Sequence, residues 1–155
     1  MLRAALLAAL TVAVLAPAAQ AETITFSVMS VALSVKQSDV PPKGPSKGDT
    51  IAYRDRLLNT AARFGRPKGA VIGSDHGTLT FTSAHTASFS GTVVLPDGTV
   101  RLKGQATAHA GGGFLIAVAG GTGRYAKATG SVLVGPGSKR TLNTYRIAVP
   151  SANVA

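Results

Sequence analysis

A chain of 155 residues with no cysteine excludes disulfide scaffolds, thiolate zinc sites and cysteine nucleophiles. Hydrophobic residues make up 45% and charged residues 14%, which excludes a charge-rich disordered chain. Sixteen Lys and Arg against six Asp and Glu give a net charge of +10, and 18 Gly and 8 Pro favour short strands and turns over helices.

The chain opens with Met1-Leu2-Arg3, an apolar run from Ala4 to Ala16, and Pro17 leading into Ala19-Gln20-Ala21. One positive charge, a short apolar run and a small-x-small site are expected of a signal peptide cleaved after Ala21. The run is shorter than the ~20 residues a spanning helix needs, and no later segment could span a bilayer. The expectation is therefore a secreted, extracellular protein whose single domain, 22–155, keeps every basic residue except Arg3. Without disulfides it must rely on its core alone, and an all-β closed sheet would serve.

Period-two alternation then predicts eight strands. The first spans Thr23 to Val35, with Ile24, Phe26 and Val28 on one face. The phase changes near Val28-Met29, where a bulge is expected and after which Met29, Val31, Leu33 and Val35 continue the apolar face. Lys36 to Asp49 carries three prolines and two glycines and reads as a loop. Further strands fall at Thr50–Leu58, Ala70–Thr82, Thr86–Leu95, Thr99–His109, Gly113–Ala119, Ala126–Val134 and Thr141–Val149, with Pro96-Asp97-Gly98 as a hairpin signal. Eight strands on short links suit a sandwich or an up-and-down antiparallel barrel. The face Val100, Leu102, Gly104, Ala106, Ala108, Ala110 tapers from large to small, which leaves room for a ligand in a barrel lumen. The alternative is that these small residues face a bulky neighbour such as Phe89 or Phe114.

Candidate functional residues are polar groups that break the pattern. Asp55 shares a strand face with Ile51, Tyr53 and Leu57, while Arg54 and Arg56 face the other way. Inside a barrel its pKa would rise by desolvation, as suits a general acid or base; the alternative is a structural carboxylate held by amides or an Arg. Asp75 lies on the face of Val71, Gly73, Gly77 and Leu79, with His76 outward. Its flanking glycines favour a turn or strand-end position, although a ligand contact stays open. Tyr145 alternates with Asn143 and Ile147 and would place a phenol in the lumen, or pack half-buried. His76, His85 and His109 form no spaced metal motif, and with no Cys and few acids a bound metal is not expected. Gly120-Gly121-Thr122-Gly123 lacks the Lys-Ser/Thr of a phosphate loop and reads as a turn between strands.

That turn also carries a family resemblance. The stretch Val118 to Gly130, with Gly120-Gly121-Thr122-Gly123-Arg124-Tyr125, resembles the glycine signature of dirigent proteins and allene oxide cyclases. Gly48-Asp49 through Asp55-Arg56-Leu57, the Gly73…Gly77 strand and the Phe89-Ser90-Gly91 hairpin are similar to the family's upstream motifs. The resemblance covers about Thr23 to Val149. It implies an eight-stranded antiparallel barrel, often trimeric, whose apolar lumen holds a small molecule and directs cyclisation or coupling without a cofactor. Asp55 matches the second Asp of the dirigent motif and the cyclases' luminal Asn. Leu79 falls at the cyclases' luminal cysteine, and Thr129 stands where dirigents commonly have Arg, so a plant-type reaction is not implied.

Two functions are thus expected to compete. One is a secreted barrel binding a hydrophobic small molecule, and acting as a cyclase or isomerase if it is an enzyme. Its candidate acid/base is Asp55, with Tyr53, Asp75 and Tyr145 as ligand contacts and the Lys36–Asp49 loop as a partial lid. The other is a non-catalytic envelope protein whose Arg54, Arg56, Arg63, Arg66, Lys68, Arg101 and Lys103 bind cell-wall or matrix polyanions. Nucleic acid is not expected as a partner, since no recognition helix is apparent and aromatics are only 5%. The first function needs an open lumen; the second fits a filled barrel.

Overall fold

A computed structural model describes residues 21–151. Residues 1–20, which hold nearly all of the expected signal peptide, lie outside the described residues. Eight strands follow in order: β1 Ala21–Ser38, β2 Thr50–Asn59, β3 Val71–Phe81, β4 Ala87–Leu95, β5 Gly98–Ala108, β6 Phe114–Gly121, β7 Thr129–Val134 and β8 Arg140–Pro150. Each pairs antiparallel with the next, and β8 pairs back onto β1 to close the barrel. Closure removes the exposed sheet edges that a cysteine-free β-protein would otherwise have to protect.

The elements match the alternation of the sequence, with three corrections. First, β1 continues through Lys36 to Ser38, so the loop starts later than Lys36. Second, the register shift in β1 lies between Ala32 and Ser34 rather than at Val28-Met29. Ser30 therefore faces inward and is 1% exposed, whereas Leu33 is 53% exposed. Third, Gly123–Tyr125 forms one turn of 3-10 helix, and β7 starts at Thr129 instead of Ala126. The expected hairpin is present, with Leu95 paired to Gly98 across Pro96-Asp97.

The glycine motif is a packing device. Gly130 has φ +131°, and a Cβ there would lie 2.2 Å from the Arg146 carbonyl oxygen. Gly123 has φ +57° and would bring a Cβ to 2.4 Å from the Asp97 carbonyl. The motif thus folds tightly over the β4–β5 hairpin, and Arg124 N–H donates to Asp97 O at 3.0 Å. The buried Tyr125 is carried on this turn.

One half of the barrel is filled and one end is shut. Val28, Leu57, Val93, Val100, Val132 and Ile147 are each fully buried there. Beneath them Phe26 stacks on Tyr145, with centroids 4.8 Å apart and planes 4° from parallel. The edge of Phe64 meets Phe26 at 5.8 Å, and the Arg63 guanidinium lies 4.5 Å over the Phe26 ring. Phe64 and Arg63 belong to the β2–β3 loop, which acts as a floor. Asn59 ties that loop down: its Nδ2 donates to Arg63 O at 2.8 Å and to Arg66 O at 3.0 Å. Arg63 O and Arg66 O also accept each other's backbone amides, so Asn59→Ala is expected to cost only about 1 kcal/mol, the loss of the side-chain tether, read as a lowered urea midpoint at unchanged slope.

Candidate functional site

The other half of the barrel is open. A cavity of about 450 Å³ runs down from the end that carries the β1–β2, β3–β4, β5–β6 and β7–β8 loops. Its walls are mainly apolar, including Ile51, Leu79, Phe89, Ala106 and Ile116. A volume of this size lies in the range of ~300–1,000 Å³ typical of small-molecule sites.

The residues that make this space are local features of the sequence. Phe89 lies on β4 directly opposite Gly104 of β5. Its ring covers Gly77 and Gly91, where a Cβ would come within 2.7 and 2.8 Å of it. The two glycines let the ring lie against the wall instead of across the lumen, and Tyr53 stacks on it at 6.0 Å. On the tapering face of β5 Ala106 lines the cavity, whereas Gly104 pairs with Phe89 in the ladder but a Cβ there would meet Ala117 at 3.9 Å and not the Phe89 ring. Ala108 and Ala110 do not extend that lining; both are exposed, and Ala110 lies beyond the strand.

At the bottom of the cavity, sheet register sets Asp55 directly across from Asp75. Asp75 is 2% exposed and sits mid-strand in β3, which corrects the expected turn or strand-end position. The neighbouring glycines have another cause, because at Gly73 a Cβ would meet the Val94 carbonyl oxygen at 1.9 Å. The Tyr53 hydroxyl donates to Asp75 Oδ1 at 3.0 Å, and the Ser30 hydroxyl donates to Asp55 Oδ2 at 2.5 Å. Ser30 and Asn143 do not stand out in the sequence, although alternation with Val28 and with Tyr145 places both inward. Asn143 lines the cavity and is 3% exposed, and its Oδ1 has no hydrogen-bond partner. Tyr145 is fully buried, packed on Phe26 below the cavity, and its hydroxyl is also unpartnered.

Burial dominates the electrostatics here. Desolvation raises Asp75 from 3.8 to about 7, with the nearby Asp55 charge adding to the rise and the Tyr53 hydrogen bond opposing it. Asp55 is also raised by desolvation, partly offset by Ser30. Burial and then the Asp75 charge push the Tyr53 phenol far above its usual range. Asp75 is thus a carboxyl poised to exchange a proton near neutral pH, whereas Tyr53 stays a hydrogen-bond donor.

His76 points outward, as expected, into a shallow outer groove with Arg54 and Thr92. Arg54, Arg56, Arg101 and Lys103 are exposed on outer faces, but Arg63 is engaged at the floor instead of in an outer belt. Among the described residues, no three His, Asp or Glu gather as metal ligands, and no helix is long and apolar enough to cross a membrane. In the β1–β2 loop Asp49 accepts the Val40 and Ser46 amides, both at 2.7 Å, fixing the loop beside the mouth.

This barrel, with its half-filled interior, belongs to the allene oxide cyclase barrel-like domain family, whose pattern matches residues 29–148. No curated protein sequence matches the chain. Among solved structures it is similar to a pyocyanin demethylase at 22% identity and TM-score 0.67, over 80% of this chain and 99% of that one. A pterocarpan synthase dirigent protein aligns at 16% identity and TM-score 0.59, over 84% of this chain and 95% of that one. A Diels Alderase from Streptomyces koyangensis aligns at 20% identity and TM-score 0.60, over 86% of this chain and 71% of that one. At these identities the likeness is one of fold.

Proposed function

We propose that this protein is a secreted, cofactor-independent barrel that binds an apolar small molecule in its lumen and guides its cyclisation. The observation that carries this reading is the carboxyl of Asp75, buried at the bottom of an open, mainly apolar cavity of about 450 Å³. The names of the similar structures, a dirigent protein and a Diels Alderase, support it as relatives in fold that act on small molecules.

In this reading the walls hold the ligand in a reactive conformation, which lowers the entropic part of the barrier. Asp75, ionised in the complex, takes a proton from the ligand as the ring closes. It returns that proton to the ligand before release, so the substrate's atoms are conserved and the carboxylate is restored. Tyr53 keeps the Asp75 carboxyl oriented through its hydroxyl. Asp55, less buried and held by Ser30, supplies the second polar contact. The acid/base role thus passes from Asp55 to Asp75, the more deeply buried of the two.

The test is a panel of conjugated polyenes and phenols screened by thermal shift, followed by product analysis of those that bind. Binders are expected to be lost in Ala106→Trp, which fills the cavity, and to persist in Asp75→Asn with turnover reduced ~100-fold or more. Unchanged turnover in Asp75→Asn would remove the proton-transfer role; unchanged binding in Ala106→Trp would remove the luminal site.

A further inference from the structure

We propose that the lumen selects a cationic ligand, a flat apolar molecule whose positively charged end is seated against Asp55, Asp75 and Asn143. This rests on the luminal reading above and specifies the chemistry that the bottom of the cavity recognises.

Acceptors outnumber donors at the bottom of the cavity. Of the six acidic residues in the chain, two face each other across the β2–β3 ladder inside it. Each carboxylate offers about four lone-pair sites, and the side-chain donors they receive are one hydroxyl each, from Ser30 and Tyr53. Neither carboxylate is in a salt bridge; among the described residues the ion pair formed is Arg124 with Glu22, on the outside. Asn143 adds a third acceptor from β8, its Oδ1 buried and unpartnered at the same cavity. A buried acceptor without a donor is costly, and a buried carboxylate without a counter-charge more so. A ligand that brings donors or a positive charge would satisfy all three groups.

The walls suit the same occupant. The Tyr53 and Phe89 rings line the cavity beside the acids, and ring faces attract a cation. The basic residue that lines the cavity is Lys139, in the β7–β8 loop at the mouth, where it is exposed and screened by water. Positive charge at the rim and acceptors at the bottom orient the ligand with its charged end down. A neutral apolar ligand would fill the same volume and leave the acceptors unmatched. The groups facing Asp75 are Asp55 and Tyr53 from β2 and Tyr145 from β8, none of which is a cation. A bound cation therefore favours the ionised Asp75, so binding releases a proton and strengthens as pH rises through about 7.

Three bicyclic probes of similar shape test this by equilibrium dialysis: N-methylquinolinium, 1-methylnaphthalene and naphthalene-1-sulfonate. At pH 8 the cation is expected to bind at least tenfold more tightly than 1-methylnaphthalene. That preference is expected to shrink at pH 5.5, and to vanish at both pH values in the Asp55→Asn/Asp75→Asn double variant, whose fold is checked by circular dichroism. If the neutral or anionic probe binds as tightly as the cation at pH 8, the charge preference is wrong while the luminal site stands. If none of the three binds, or if Ala106→Trp leaves their binding intact, the luminal site fails and the cationic ligand with it.

Discussion

Asp75→Asn is expected to stabilise the protein above neutral pH, an unusual outcome for the loss of a buried carboxylate. The unfolded chain ionises this group near 3.8, while the folded chain keeps the proton until about 7. A carboxyl raised in this way contributes stability at low pH that is lost as pH rises through the folded value. By pH 9 the folded state bears the full penalty of a desolvated charge, about 4 kcal/mol. The asparagine still accepts the Tyr53 hydroxyl at Oδ1 and carries no charge. Between pH 5 and 9 the melting temperature of the wild type is expected to fall by roughly 10 °C, and that of Asp75→Asn to stay nearly flat. Asp55, also raised, slopes in the same sense and leaves a residual decline. Asp49 works oppositely: the Val40 amide leads in lowering its pKa, so its contribution is lost only as pH falls below the usual carboxylate range. Thermal unfolding at pH 5, 7 and 9 checks this, and parallel declines in both proteins would show that Asp75 ionises without strain.

The second large effect is expected at Gly130. Alanine there meets two independent obstacles, a backbone at φ +131° and the Arg146 carbonyl at 2.2 Å from the new Cβ. The carbonyl belongs to the β7–β8 ladder and cannot rotate away, so the strands must part. A loss of about 3 kcal/mol or more follows. Gly65 supplies the comparison, because its φ is +66° but nothing lies within 4 Å of where a methyl group would sit. Gly65→Ala is expected to cost only about 1 kcal/mol, the left-handed backbone penalty alone. Urea midpoints of the two variants should therefore differ widely, and near-equal midpoints would show that crowding at Gly130 is relieved by a small strand shift.

Strand order and position are legible in the sequence because the alternation of apolar and polar residues is nearly unbroken. The sequence misleads where a residue serves a partner distant along the chain. Ser30 interrupts the inner apolar face of β1 because it donates to Asp55 on β2, while Met29, Val31 and Leu33 remain apolar on the outside. Following the apolar residues of β1 alone therefore misplaces the bulge. Asp75 is obscured in the same way, since Gly73 and Gly77 read locally as a turn. Their small size is required instead by the Val94 carbonyl and the Phe89 ring on β4. Asp55 needs no such knowledge, because Ile51, Tyr53 and Leu57 fix its face within one strand. Tyr145 does face inward, but the stack of Phe26 beneath it sets it below the cavity.

The floor formed by Phe64, Arg63 and Asn59 gives the barrel the topology of a cup. Whatever enters must leave by the same rim, past the loop that Asp49 holds in place. For the cyclisation proposed above, substrate and product could then not occupy the passage together, and product inhibition would be purely competitive. Any second reactant would have to be loaded in a fixed order, with the last molecule in being the first one out.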